Sequence, residues 1–178
     1  MSEWQQDNID SAHDFKRVVW DVIKTQCGGG VLYSCENNAS KVAELLDVNC
    51  GIDYLQELSC GLRGIAVRIQ WVDLVGYDTF TVRASRPSGS ETEMNKRLQV
   101  DRGTIKPYLT VQAYIKNPRG VGDLVQVFVC KTSELYVCVR SGKYMTRTNP
   151  VDGVRFIAVE VSDIAGCWAY RAANVDGR

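Results

Sequence analysis

One segment constrains the fold of this chain more than any other: Gly64-Ile65-Ala66-Val67-Arg68-Ile69-Gln70-Trp71-Val72. Read as a β-strand, it puts Ile65, Val67, Ile69 and Trp71 on one face and Ala66, Arg68 and Gln70 on the other, because successive side chains point to opposite sides. Two further strand candidates repeat the pattern. In 78–84, Phe80 and Val82 oppose Thr81 and Arg83; in 108–116, Val111, Ala113 and Ile115 oppose Thr110, Gln112 and Tyr114. A sheet covered on both faces is apolar throughout. Polar residues recurring on one side imply either a sheet with a wet face or a cleft in which polar groups converge.

The rest of the chain reads as helices and strands around these segments. Ser11 and Asp14 have capping-box spacing and predict a helix over 11–27, with Phe15, Val18, Val19, Val22 and Ile23 on its apolar face and Gly28-Gly29-Gly30 as its stop. A second helix is expected over 38–47 with Val42, Leu45 and Leu46 turned inward. Strands follow at 51–58, 64–72 and 78–84, the first two joined as a hairpin through 59–63. Ser90 and Glu93 form a second capping box and predict a helix over 90–102. Strands are expected at 108–116, 123–130 and 154–161, with a turn at Asn117-Pro118-Arg119-Gly120. Residues 132–141 fit either a short helix or a returning strand, and 171–178 read as a loose tail. The first three strands should form an antiparallel meander, and the strand–helix–strand step after them a parallel crossover. The fold class is α/β: one domain over 1–178 with a mixed central sheet, helices on its faces and extra C-terminal strands.

With 45% apolar and 24% charged residues, the chain is neither a disordered tail nor a disulfide scaffold. No apolar run approaches the roughly 18 residues of a membrane span, and the polar N-terminus does not read as a signal peptide. A cytoplasmic location without membrane contact is expected. The seven cysteines contain no CxxC pair and read as small buried hydrophobes in a reducing compartment. His13 is the sole histidine and reads as a helix surface residue. Lysines and arginines balance aspartates and glutamates at 21 each, but unevenly: residues 83–147 carry 12 basic and 5 acidic side chains. A local basic face follows, with Arg83, Arg86, Lys96, Arg97 and Arg102 first in line for phosphates.

Helix, Gly51-Ile52-Asp53, a hairpin into Gly64-Ile65-Ala66-Val67-Arg68-Ile69-Gln70, then strand, helix and strand resembles the PD-(D/E)XK, or restriction-endonuclease-like, superfamily over about residues 38–116. The resemblance implies an αβββαβ core and Mg²⁺-dependent hydrolysis of DNA, as in nucleases of phages and restriction systems. It places Asp53 as a metal ligand and Arg68, Gln70, Glu93 and Gln112 in the catalytic site. Ala66 stands where that family carries its second acid and Arg68 where it carries its lysine. A second carboxylate would then come from Glu44, Glu91 or Glu93. Three readings remain open: a Mg²⁺-dependent nuclease, the same fold without its metal site serving as a nucleic-acid- or protein-binding module, and an unrelated α/β protein. DNA and a second copy of the chain are the partners these readings allow.

Overall fold

A computed structural model of the chain describes residues 3–35, 40–73, 76–90, 92–98, 105–150 and 152–173. Its elements, in chain order, are α1 (Glu3–Asp14), a π-helical turn (Phe15–Val19), α2 (Trp20–Ile23), β1 (Val31–Ser34), α3 (Lys41–Cys50), β2 (Tyr54–Leu58), β3 (Gly61–Val72), β4 (Thr79–Ser85), α4 (Glu93–Leu98), β5 (Leu109–Lys116), β6 (Leu124–Lys131), α5 (Thr132–Arg140), β7 (Met145–Thr148), β8 (Arg155–Glu160) and β9 (Trp168–Arg171). The fold is mixed α/β. A six-stranded sheet, order β1-β2-β3-β5-β6-β9, lies beside a three-stranded sheet, order β4-β8-β7. β3 and β5 are parallel, from Ile65 opposite Leu109 to Val72 opposite Lys116; the other pairs in the large sheet are antiparallel.

The large sheet is covered on both faces. On one, Phe15, Val19 and Ile23 of the N-terminal helix pack without solvent exposure against Tyr54, Ile65, Val111, Ala113, Ile115 and Val127. Their i, i+4, i+8 spacing keeps them in line along the helix. On the other, Tyr114 and Phe128 meet Phe80, Val82, Ile157 and Val159 of the small sheet and Leu135 and Val139 of α5. The segment 132–141 is therefore a helix, its buried face set by Leu135, Tyr136, Cys138 and Val139. The alternation in β3 holds: Ile65, Val67, Ile69 and Trp71 join the helix-side core, while Arg68 and Gln70 reach toward α4 and β4.

Several sequence expectations are corrected. The chain order αβββαβ is present, but 78–84 does not complete a meander: β4 leaves the large sheet and pairs with β8. Beside β3 lies β5 instead, a strand buried on both sides, whereas β4 has one apolar side, which it lays over Tyr114 and Phe128. The helix predicted from Ser11 already begins at Glu3, so Asp14 caps nothing and lies inside continuous helix. In α3, Val42 and Leu45 are exposed, and Ala43 and Leu46 make the contact with Ile52. Gly51, at φ 58°, ends that helix; its N–H reaches Asp47 O while Ile52 N–H reaches Leu46 O, a pattern that favours glycine. Of the helix expected over 90–102, the described residues show Glu93–Leu98 as helix; Glu91 and 99–104 lie outside the described residues. The hydroxyl of Thr92, not Ser90, accepts the Asn95 N–H. β1 and β7 fall where no strand is expected. β9 is likewise unexpected and ends on Arg171, the first residue of the supposed tail, of which 174–178 lie outside the described residues.

Candidate functional site

β4 is an edge strand of the small sheet, and an edge strand carries backbone N–H groups with no strand partner. Two of these point into the seam between the sheets. The Thr81 N–H donates to Gln112 Oε1 at 3.3 Å, and the Arg83 N–H donates to Glu93 Oε2 at 2.9 Å. The Thr81 hydroxyl also donates to Gln112 Oε1 at 3.1 Å, and Gln70 Nε2 donates to Thr81 Oγ1 at 3.4 Å. The hairpin repeats this device at its open end. β2–β3 pairing stops at Tyr54–Ile65, and the Val67 N–H beyond it donates to Asp53 Oδ2. Asp53, Glu93 and Gln112 thus each fill a ladder position that lacks a carbonyl, as buried donors require.

Among the described residues, arginines outnumber carboxylates around Glu93. Arg68 Nη1 lies 3.0 Å from Glu93 Oε2, and its guanidinium stacks 4.8 Å over the Phe156 ring. The Arg68 side chain is only 17% exposed. Burial lowers its pKa; Glu93 opposes that and the Arg83 charge adds to it. Arg86 is lowered in the same sense, by burial first and then by Arg83, with Glu93 opposing. Arg68 is paired with Glu93, and the charges of Arg83 and Arg86 lie near that pair. Beside them is a cavity of about 20 Å³ whose lining includes Ala66, Arg68, Thr81, Glu93, Thr110 and Gln112. Gln112 Oε1 is committed to the Thr81 N–H, which fixes the orientation of the amide. Its Nε2 is buried without a partner among the described residues. A space of this size holds one water-sized oxygen, and an unpaired amide donor favours an acceptor there.

The residues picked from sequence divide in two. Arg68, Glu93 and Gln112 meet at the cavity, Gln70 joins through Thr81, and Arg83 and Arg86 are half-buried beside them. Asp53 does not line the cavity, and Glu44 is exposed in the first turn of α3. Glu91, Arg102 and the side chains of Lys96 and Arg97 lie outside the described residues. Mg²⁺ seeks one or two free carboxylates in octahedral geometry. Here Asp53 Oδ2 accepts a backbone N–H and Glu93 serves an arginine and a backbone N–H. Among the described residues no group of three His, Cys, Asp or Glu side chains suits a metal. Among the described residues, the donors do not fit the expected ion. Two roles were illegible in sequence, that of Thr81 as the bridge and that of Phe156 as the platform for Arg68; alternation puts Thr81 on the polar side of its strand, but both act from the small sheet, whose docking no local spacing marks.

Cysteine chemistry finds no support. Burial pushes the Cys27 and Cys167 thiols up to about 11 and Cys130 well above its usual value, so the nucleophilic thiolate is scarce near neutrality. Cys60, in the hairpin turn, is exposed. Maleimide at neutral pH should modify Cys60 first, and reach Cys27, Cys35, Cys130 and Cys138 only after unfolding, as read by peptide mass spectrometry. Rapid native labelling of Cys130 would contradict the packing of the second face. No helix among the described residues is long and apolar enough to cross a membrane. Comparison with protein-family models, curated proteins and solved structures finds no match to this chain.

Proposed function

We propose that this chain is a nucleic-acid-binding module with a nuclease-like order of elements, and that it holds the phosphate backbone without cleaving it. The observation that carries the reading is the group Arg68, Arg83 and Arg86 around the carboxylate of Glu93. Guanidinium forks match phosphate oxygens and stay charged when partly buried. Glu93 and the Phe156 ring hold Arg68 in place, so Arg83 and Arg86 are the residues left to meet a ligand. Lys96, Arg97 and Arg102 follow in the same basic stretch of the sequence. The carboxylates that a nuclease of the resembled family would use are engaged by backbone N–H groups, which favours binding over hydrolysis.

Fluorescence anisotropy with duplex DNA in EDTA tests the reading. Binding should fall with salt, and the variant Arg83→Ala with Arg86→Ala should flatten the log–log salt slope by about 0.9 for each phosphate no longer neutralised. With Mg²⁺ or Mn²⁺ added, the DNA should be recovered intact. No retention of DNA at low salt refutes the proposal. Cleavage that Asp53→Ala abolishes would replace it with the metal-dependent nuclease.

A further inference from the structure

On the opposite, helix-side end of the large sheet, where β3 and β5 begin and β6 ends, lies a second and larger groove. Its volume is about 270 Å³, and its lining includes Gln26, Arg63, Tyr108, Lys131 and Trp168. That is near the lower end of the roughly 300–1,000 Å³ of small-molecule sites. No aspartate or glutamate is among the lining residues, so its two cations face the groove without a counter-charge there.

The cations differ in kind. Arg63 is built in: its Nε donates to Gln56 Oε1 at 2.7 Å, its Nη2 donates to Cys27 O, and its guanidinium lies 5.3 Å over the Tyr108 ring. Gln56 is itself fully buried and donates to Cys27 O and Gly29 O, so the partner that orients Arg63 is fixed. The remaining Nη1 has no partner among the described residues. Lys131, at the end of β6, is exposed, and its ammonium likewise has none. Tyr108 is 47% exposed and Trp168 half-buried, so ring surface is open to a ligand.

We propose that this groove binds a nucleoside monophosphate unit, its base laid on the exposed aromatic surface of Tyr108 and Trp168 and its phosphate held by Lys131 and Arg63 Nη1. Base–aromatic stacking accepts any base, because each has a π-face, and cations beside the stack take the backbone charge. The unit can be a free nucleotide or one residue of a strand. The site lies on the other face of the sheet from the Arg68 group and does not rest on it.

Isothermal calorimetry with AMP tests the proposal, with a short oligothymidylate as the strand probe. Wild type should bind AMP saturably, and inorganic phosphate should bind more weakly than AMP. Lys131→Glu, at an exposed position, should weaken AMP binding at least tenfold, and Arg63→Gln should weaken it as well. Arg83→Ala with Arg86→Ala should leave AMP affinity within twofold, which separates this site from the duplex-binding face. If Lys131→Glu also releases the oligothymidylate, the groove serves a strand. If it releases AMP alone, the groove serves the free nucleotide. The absence of saturable AMP binding at millimolar concentration, or equal AMP affinity in wild type and Lys131→Glu, overturns the proposal.

Discussion

Asp14→Ala should lower the free energy of unfolding by about 3–5 kcal/mol, the usual cost of breaking a buried charged network from one side. The Asp14 side chain has no solvent exposure. Its Oδ2 accepts Trp71 Nε1 at 2.8 Å and the Gly120 N–H at 3.0 Å, and its Oδ1 accepts Arg17 Nη2 at 2.8 Å. One carboxylate thereby ties the helix to β3 and to the β5–β6 turn. Alanine strands the indole, the backbone N–H and the guanidinium together; Asp14→Asn keeps acceptor capacity and should cost less. Burial alone would raise the Asp14 pKa, but the bonds from Trp71, Arg17 and Gly120 and the Arg17 charge outweigh it and hold the pKa below the usual aspartate value. A depressed folded-state pKa means that this stabilisation is present above the unfolded aspartate pKa near 4. It is lost as pH falls through the lower folded value. The stability gap between wild type and Asp14→Ala in urea melts should therefore be widest at pH 7 and narrow as pH falls below the usual aspartate value. A variant within about 1 kcal/mol of wild type at pH 7 would disprove the network.

Gly122→Ala should be nearly as damaging, at about 3 kcal/mol or more, at or above the upper end of the usual overpacking cost. A Cβ on Gly122 would stand 1.5 Å from Lys116 O and 2.6 Å from Lys116 C. Neither atom can withdraw freely, since the Lys116 N–H is bonded to Asp123 O and the Gly122 N–H to Pro118 O. Gly122 O also accepts Arg17 Nη2, so the shift would reach the helix. Gly120 is the control in the same turn. It has φ +80° with nothing near its Cβ position, and Gly120→Ala should cost only the roughly 1–2 kcal/mol of a left-handed alanine. Equal midpoints for the two variants in thermal melts would mean that the close approach is absent.

The strands were legible where alternation was strong. Each of 64–72, 108–116 and 123–130 has a pattern of apolar and β-branched residues long enough to speak for itself, and each is a strand of the large sheet. Which sheet a strand joins was not legible. Phe80 and Val82 show that 79–85 has an apolar side, but not whether that side meets β3 or lies across β5 and β6. That choice is a competition between β4 and β5 for one edge of β3. β1 and β7, four residues each, owe their form to a partner strand. At the site, Arg68 and Gln112 were recognisable as polar residues out of place on buried strands, whereas Glu93 entered only as a capping residue and as a carboxylate that the resemblance implies. The reason for Glu93 and Gln112 was not legible, because the donors they satisfy are backbone groups of an edge strand. The S-x-x-D and S-x-x-E spacings misled in both cases: Asp14 and Glu93 serve distant elements rather than their own helix ends.

The parallel pairing of β3 with β5 also sets the tempo at which the chain reaches this structure. Ile65 cannot meet Leu109 until the chain between them, which builds β4 and α4, has looped away and returned. Phe15 near one end and Trp168 near the other belong to the same core cluster. Contacts so distant along the chain reward the search only after most of its entropic cost has been met, which places such topologies on the millisecond-to-second scale rather than the microsecond scale of helical bundles. On a ribosome, the N-terminal helix emerges long before the strands that cover its apolar face. Phe15, Val19 and Ile23 can meet Tyr54 and Ile65 early but lack the rest of their cover until β5 and β6 have been made, and the layered core closes late in synthesis.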